Sequence, residues 1–254
     1  VFSGATEAIY CAFQAFFHKG DEILALAPFY DSYPAAAFNS GAKLIGVPLV
    51  EGTWNLDKKG MLSAISPRTK AIIINTPHNP TGRVLDSSEM DFLRNLAIEN
   101  DLLVITDEVY EELVFAPSNH ISMATMEGMR ERTLTISSTS KTFSFTGWKI
   151  GYTFGSPALT AAIRAVHQFT VFCSATPLQV GMIDALKQSD SYYEEFRADY
   201  LKRRDKLVKI LDETGFKCSP PEGTYFILAD YSAIKDVPDL EFANWLVEEI
   251  GVAT

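Results

Sequence analysis

The segment KAIIINTPHNPTGRVLDSSEMDFLRNLAIENDLLVITDEVY, Lys70 to Tyr110, carries the pattern that decides the fold. It opens with Ala71 to Ile74, apolar at consecutive positions, and turns through NTPHNPTG (Asn75 to Gly82). A helix-period stretch from Asp86 to Asn100 follows, and then a second apolar run, LLVITDE (Leu102 to Glu108). Strands buried on both faces carry apolar residues in succession, because each side of the pleat meets a packed layer. Asp86 and Glu89 stand at capping-box spacing, with Asp replacing the usual hydroxyl, and predict a helix start.

The same alternation runs outward from this unit. EILALA (Glu22 to Ala27), KLIGVPL (Lys43 to Leu49), TLTISST (Thr133 to Thr139) and KIGYTFG (Lys149 to Gly155) read as strands, and Thr6 to His18 as a helix closing near Gly20. Strand-helix alternation of this kind implies an α/β fold, a mostly parallel, doubly wound sheet with helices on both faces. After Ser156 the chain turns helical: Pro157 to Phe169, Pro177 to Gln188, and a long charged helix from Ser191 to Gly215 with acids early and bases late, as the helix dipole favours. TYFILADY (Thr224 to Tyr231) reads as a strand and DLEFANWLVEEIG (Asp239 to Gly251) as a helix. A boundary near Asp190 would divide a large domain, residues 1–190, from a partial α+β small domain, residues 191–254.

Hydrophobic residues at 47% and charged residues at 21% describe an ordinary globular chain of 254 residues. A formal net charge of -10 argues against a nucleic-acid partner, which needs clustered Lys and Arg. No apolar run approaches a membrane span. Cys11, Cys173 and Cys218 are few, odd in number and scattered, which suggests neither a disulfide framework nor a metal cluster but reduced thiols inside a cell. The chain begins at Val1 and ends on EEIGVAT, and both ends look cut.

In open parallel sheets ligands gather beyond the carboxyl ends of strands, and the unusual residues of this chain fall there. NTPHNPTG follows the third strand, DEVY (Asp107 to Tyr110) the fourth, and SSTSK (Ser137 to Lys141) the fifth. PFYDSY (Pro28 to Tyr33) follows EILALA, and SGATEA (Ser3 to Ala8) precedes a helix whose free N–H groups suit an anion. Each has an ordinary reading: NPTG is a good turn, with His78 shaping it, DE a solvated strand end, an aromatic pair a piece of core. The stretch TISSTSKTFSFTGWKIGY (Thr135 to Tyr152) is harder to dismiss, since it sets Lys141 and Lys149 among hydroxyls and small residues with no acid at all.

The order SGATEA, PFYDSY, NTPHNPTG, DEVY, SSTSKTFSFTGWK resembles the fold-type I pyridoxal-phosphate enzymes, class I/II aminotransferases in particular, with the nearest likeness to kynurenine, glutamine or methionine aminotransferases and their cysteine-conjugate β-lyase relatives. The resemblance implies that Lys141 forms the Schiff base with the aldehyde of pyridoxal 5'-phosphate. It also implies that Asp107 pairs with the pyridine nitrogen, that Asn79 and Tyr110 bond the ring oxygen, and that Tyr30 lies over the ring. Gly4, Ala5 and Thr6 at the helix start, with Ser138 and Lys149, would hold the phosphate. The chemistry suits these roles: an attacking lysine amine must shed its proton, a buried carboxylate keeps a pyridine protonated, and a phosphate dianion wants N–H groups, a hydroxyl and a fixed cation.

On this resemblance the activity expected is transfer of an amino group from an amino acid (aromatic, glutamine or methionine) to a 2-oxo acid, with Lys141, Asp107 and Tyr110 catalytic. A C–S β-lyase shares all of these residues, and a non-catalytic ligand-binding module is a more distant alternative. Two features depart from the family pattern. Lys149 stands where many relatives have arginine, which keeps the charge but loses the bidentate fork. The arginine that binds the substrate carboxylate and the N-terminal lid are expected beyond these residues. Arg164, Arg197, Arg203 and Arg204 sit on helices and offer no substitute. A homodimer with composite sites is implied, with HQFTVFCSATP (His167 to Pro177) where relatives approach the partner, although an aromatic core face is its plainer reading, and a cytoplasmic location, mitochondrial placement staying open. Phe29, Phe115, Phe145 and Phe172 hint at tolerance for large apolar or sulfur-containing side chains, although core packing is the plainer reading for most of them.

Overall fold

Six strands make one sheet in the order β2-β1-β3-β4-β5-β6. They are β1 (Glu22–Ala27), β2 (Lys43–Pro48), β3 (Thr69–Asn75), β4 (Leu103–Asp107), β5 (Thr133–Ser138) and β6 (Gly151–Phe154). A computed structural model describes residues 1–254. All neighbouring pairs are parallel except β5 with β6, which run antiparallel.

The consecutive apolar residues are explained by two cores, one on each face. Ile23, Ala25, Ala71, Ile73, Ile105, Leu134 and Ile136 point to the face covered by α1 (Ala5–Phe16), α2 (Ser32–Ser40) and α6 (Pro157–Thr170). Their chain neighbours Leu24, Leu26, Ile72, Ile74 and Val104 point to the opposite face, under α3 (Lys58–Ala64) and α4 (Ser87–Glu99). Period-two alternation therefore sends every second side chain to a different core, and where hydroxyls face inward from β4 and β5 they pair, as Thr106 does with Thr135 at 3.2 Å.

The chain leaves this sheet through α5 (Thr139–Thr142), a single turn after β5, and continues after β6 into α6, α7 (Thr176–Leu186), α8 (Asp190–Glu213) and α9 (Asp239–Trp245), the last extended by a π-helical turn, Leu246–Ile250. Phe196, Tyr200 and Leu201 of α8 pack on Tyr110, Leu113 and Phe115, so the long helix is seated on the loop beyond β4. The strand expected over Thr224 to Tyr231 does not form. Only isolated bridges occur there, Val114 with Gly223 and Lys217 with Asp230. The apolar run Tyr225 to Ala229 is real, but no strand lies alongside to accept its hydrogen bonds. Residues 32–40 and 58–64, to which the sequence assigns no element, are short helices with too few turns to show a period.

The capping box at α4 forms in full: Asp86 accepts from the Glu89 N–H at 2.9 Å, and the Asp86 N–H donates to Glu89 Oε2 at 2.9 Å. Glu89 also accepts from the Leu56 N–H at 2.8 Å and from Arg83 at 2.9 Å, while itself buried. Asp86→Ala should cost about 1 kcal/mol of stability in urea unfolding. Glu89→Ala should cost roughly 3 kcal/mol, because it orphans a buried N–H and removes a buried partner of Arg83. Equal costs for the two variants would contradict the assignment of Glu89 as a junction.

Candidate active site

The parallel strands β1, β3, β4 and β5 all end on the same edge, and the order of strands reverses direction between β1 and β3, the place where ligands collect in such sheets. Asn75 lies beside Asp107 in the β3–β4 register, and Asp107 beside Ile136 in the next. A cleft of about 200 Å³ opens there. Its walls include Ala5, Thr6, Tyr30, Asn79, Asp107, Tyr110, Ser138, Lys141 and Lys149, nine of the ten positions singled out by sequence. The tenth, Gly4, is the N-cap of α1, and a Cβ there would meet Lys149 Nζ at 3.3 Å. Ile9, Asn75, Val109, Ser140, Thr146 and Phe226 complete the lining.

Charge is divided within this cleft. Asp107 is its one acid, and Lys141 and Lys149 are its cations. Burial pushes the Asp107 carboxyl up to about 6, against the opposing pull of a hydrogen bond from Tyr33. The Tyr33 hydroxyl donates to Oδ2 at 2.7 Å, the Val109 N–H reaches Oδ1 at a long 3.4 Å, and Asn75 Nδ2 donates to the Asp107 carbonyl at 2.8 Å. Asn75 also accepts from the Asn79 N–H at 2.7 Å, so one side chain ties the turn after β3 to the end of β4. Sequence pattern does not single out Tyr33 or Asn75. The signal for Tyr33 is its place three residues after Tyr30 at the opening of α2, where one helical turn brings it back over the strand end.

At the other end, no side chain caps α1, so its first N–H groups remain free donors beside Ala5 and Thr6. Lys149 has φ 55, in the left-handed region, and makes no ion pair with any acid. Gly151 has no room for a side chain, since a Cβ there would lie 2.5 Å from the Gly4 carbonyl carbon; β6 thereby presses directly against the start of α1. Ser138 caps α5, accepting from the Ser140 N–H at 3.1 Å.

Two nearby groups have structural roles. His78 is buried with Nδ1 2.8 Å from Thr81 Oγ1, and burial pushes it down to about 4, so it stays neutral and shapes the turn. Burial pushes Glu111 up to about 8; Ser137 donates to its Oε1 at 2.5 Å and its Oε2 has no partner.

The family model for class I and II aminotransferases matches residues 1–254. This chain belongs to that family. It is 42% identical over 252 residues to a protein of Mycobacterium tuberculosis named probable N-succinyldiaminopimelate aminotransferase DapC, covering 98% of this chain and 64% of the relative. It is 38% identical to the methionine aminotransferase of Escherichia coli, covering 100% of this chain and 66% of the relative. The solved structure of N-succinyldiaminopimelate aminotransferase from Mycobacterium tuberculosis superposes with a TM-score of 0.96 at 42% identity, covering 99% of this chain and 66% of that one. An aspartate aminotransferase structure from Thermus thermophilus gives 0.93 at 33% identity, covering 99% and 66%. The chain thus spans about two thirds of the length of these relatives.

Members of this family depend on pyridoxal 5'-phosphate, and the lining residues fit it. A phosphate dianion needs donors and a cation, which the uncapped α1, Ser138 and Lys149 supply together. A basic ring nitrogen needs an acceptor, which the sole acid of the cleft supplies.

Tyr33→Phe removes a hydrogen bond that favours the Asp107 carboxylate, so the midpoint of that carboxyl should move further above about 6. Carboxyl carbon NMR of aspartate-labelled, cofactor-free protein reads this directly; a downward shift would contradict the role given to Tyr33. Glu111 binds its proton more tightly folded than unfolded, so its contribution to stability is full below the ordinary Glu range and is lost as pH rises toward about 8. Glu111→Gln should therefore flatten the fall in stability between pH 5 and about 8. An unchanged slope in pH-resolved urea unfolding would show that another group sets it.

Proposed function

We propose that this chain is the cofactor-binding part of a pyridoxal-phosphate-dependent aminotransferase, which moves an amino group from an amino acid to a 2-oxo acid. The observation that carries the proposal is one cleft lined by both Lys141 and Asp107, with free helix donors and Lys149 at its far end. When bound, the cofactor supplies an aldehyde that captures amines and a protonated ring that withdraws electrons after Cα–H cleavage. Asp107 would keep the proton on the ring nitrogen, and Asn79 and Tyr110 would bond the ring oxygen. Tyr30 would cover the ring face. Gly4, Ala5, Thr6, Ser138 and Lys149 would hold the phosphate. Lys141 would anchor the cofactor covalently, and its Nζ, when free, would be the base that takes the proton from Cα of the donor.

An aromatic, glutamine or methionine donor suits the aromatic wall of Tyr110 and Phe226 beside Lys141. A homodimer is supported by exposed apolar side chains around the α6–α7 junction: Phe169 is 87% and Phe172 74% exposed, with Val171, Val180 and Ile183 nearby. Division into a large domain, 1–190, and a small one, 191–254, is supported by the start of α8 at Asp190. No helix is long and apolar enough to cross a membrane. The three cysteines are free, which suits a cytoplasmic setting.

Lys141→Ala in the full-length protein should lower oxo-acid formation from the amino donor by about 10²-fold or more. Near-normal turnover would refute the assignment. Asp107→Asn should slow Cα–H cleavage, read as a primary deuterium isotope effect on single-turnover donor consumption, while the cofactor remains covalently bound. Unchanged kinetics would refute the ring-nitrogen role. Pyruvate and thiol released from a cysteine conjugate, in place of an oxo acid, would move the assignment to β-elimination.

A further inference from the structure

The segment that fails to form a strand does something else. Residues 222–224 are strapped onto the large sheet's loops by a bond at every position. The Glu222 and Gly223 N–H groups both donate to the Gly82 carbonyl at 2.9 Å. The Phe115 N–H donates to the Glu222 carbonyl at 2.7 Å, and the Thr224 N–H to the Leu113 carbonyl at 2.9 Å. The Glu222 carboxylate accepts from the Val84 N–H at 2.9 Å and also from Arg83. Gly223 lies so close that a Cβ would fall 2.8 Å from the Leu113 carbonyl oxygen. Thr224, buried at 1% exposure, is held at φ 65, a left-handed conformation that a β-branched residue resists. Strain of this kind persists only where surrounding bonds over-determine it.

The strain aims one side chain. Tyr225 follows Thr224 directly, and its hydroxyl lies 2.7 Å from Lys141 Nζ as the acceptor of that amine's hydrogen bond. The Lys141 amine stands 5.5 Å from the centre of the Tyr110 ring and 5.3 Å from that of Tyr225, and the two rings meet edge to face at 5.4 Å. No carboxylate pairs with Lys141, and Tyr225 is its one hydrogen-bond partner. A lysine with four rotatable bonds and no other partner would sample many positions.

We propose that Tyr225 is a positioning residue for Lys141: the strap holds its hydroxyl as the docking point of the lysine amine whenever that amine is not covalently engaged. The amine is then kept between two aromatic rings at the mouth of the cleft, in reach of a donor's Cα, and does not swing into solvent. This inference rests on the proposed role of Lys141, yet it can be tested without any amino donor.

The test is competitive acylation of the full-length, cofactor-free protein with a water-soluble amine-reactive acetylating reagent, scored lysine by lysine by peptide mass spectrometry. Tyr225→Phe keeps the ring and removes the hydroxyl. It should raise the acylation rate of Lys141 by about tenfold, the factor a hydrogen bond of about 1.4 kcal/mol commands, and leave Lys149 unchanged. Glu222→Ala, which removes the strap's side-chain bonds to Val84 and Arg83 but keeps the hydroxyl, should raise Lys141 reactivity in the same direction. An unchanged Lys141 rate in both variants overturns the proposal, as does an equal rise at Lys149, which would mean general loosening. A native protein that docks Lys141 in this assay yet turns over no amino donor would refute the aminotransferase reading and leave the role of Tyr225 standing.

Discussion

A carboxyl group buried at the end of a parallel strand is the constraint on which the rest of this structure depends. Asp107 sits at the tip of β4 under two flanking strands, with little water to stabilise its charge. An uncompensated carboxylate in such a place is costly, and its proton is held up to about 6. The surrounding chain answers part of that cost: Tyr33 donates to one oxygen, and Asn75 fixes the backbone that carries it. A cationic ring nitrogen in the cleft would answer the remainder. The fold is therefore arranged around a charge that a cofactor completes.

The same logic explains why the two ends of the cleft differ. Free helix N–H groups, Ser138 and Lys149 form a set of donors, and Asp107 is the lone acid of the cleft. A ligand with a dianion at one end and a basic ring at the other has one favourable orientation in that field. Lys141, on the single turn after β5, stands between the two regions among tyrosine rings. Close backbone contact between Gly151 and Gly4 keeps the start of α1 in register with the sheet, because a Cβ at Gly151 would collide with the Gly4 backbone and Gly4 itself holds φ 87.

The parallel sheet was legible in the sequence because both of its faces are buried. A strand with one solvated face would place a polar residue at every second position, and the run Ala71 to Ile74 has none. The site was legible because its residues sit just after those runs, where sheet geometry gathers them whatever lies between. Tyr33 and Asn75 were not, since their importance lies in hydrogen bonds to a residue seventy-four and thirty-two positions away. Tyr225 was hidden by a competing pattern: the apolar run of TYFILADY reads as a strand, but the hydrogen bonds of Thr224 and of Glu222 and Gly223 just before it go to loops at Gly82, Leu113 and Phe115. Local periodicity reports which side chains are apolar and not whether a neighbouring strand exists to pair with.

The central claim is that the amine of Lys141, and no other, meets the aldehyde of the cofactor in a cleft floored by Asp107. Borohydride reduction of the full-length protein loaded with pyridoxal phosphate, followed by peptide mass mapping, tests it most directly. The account predicts a single phosphopyridoxyl group, on the peptide containing Lys141. A label on Lys149, or one spread over surface lysines with Lys141 unmodified, would contradict it.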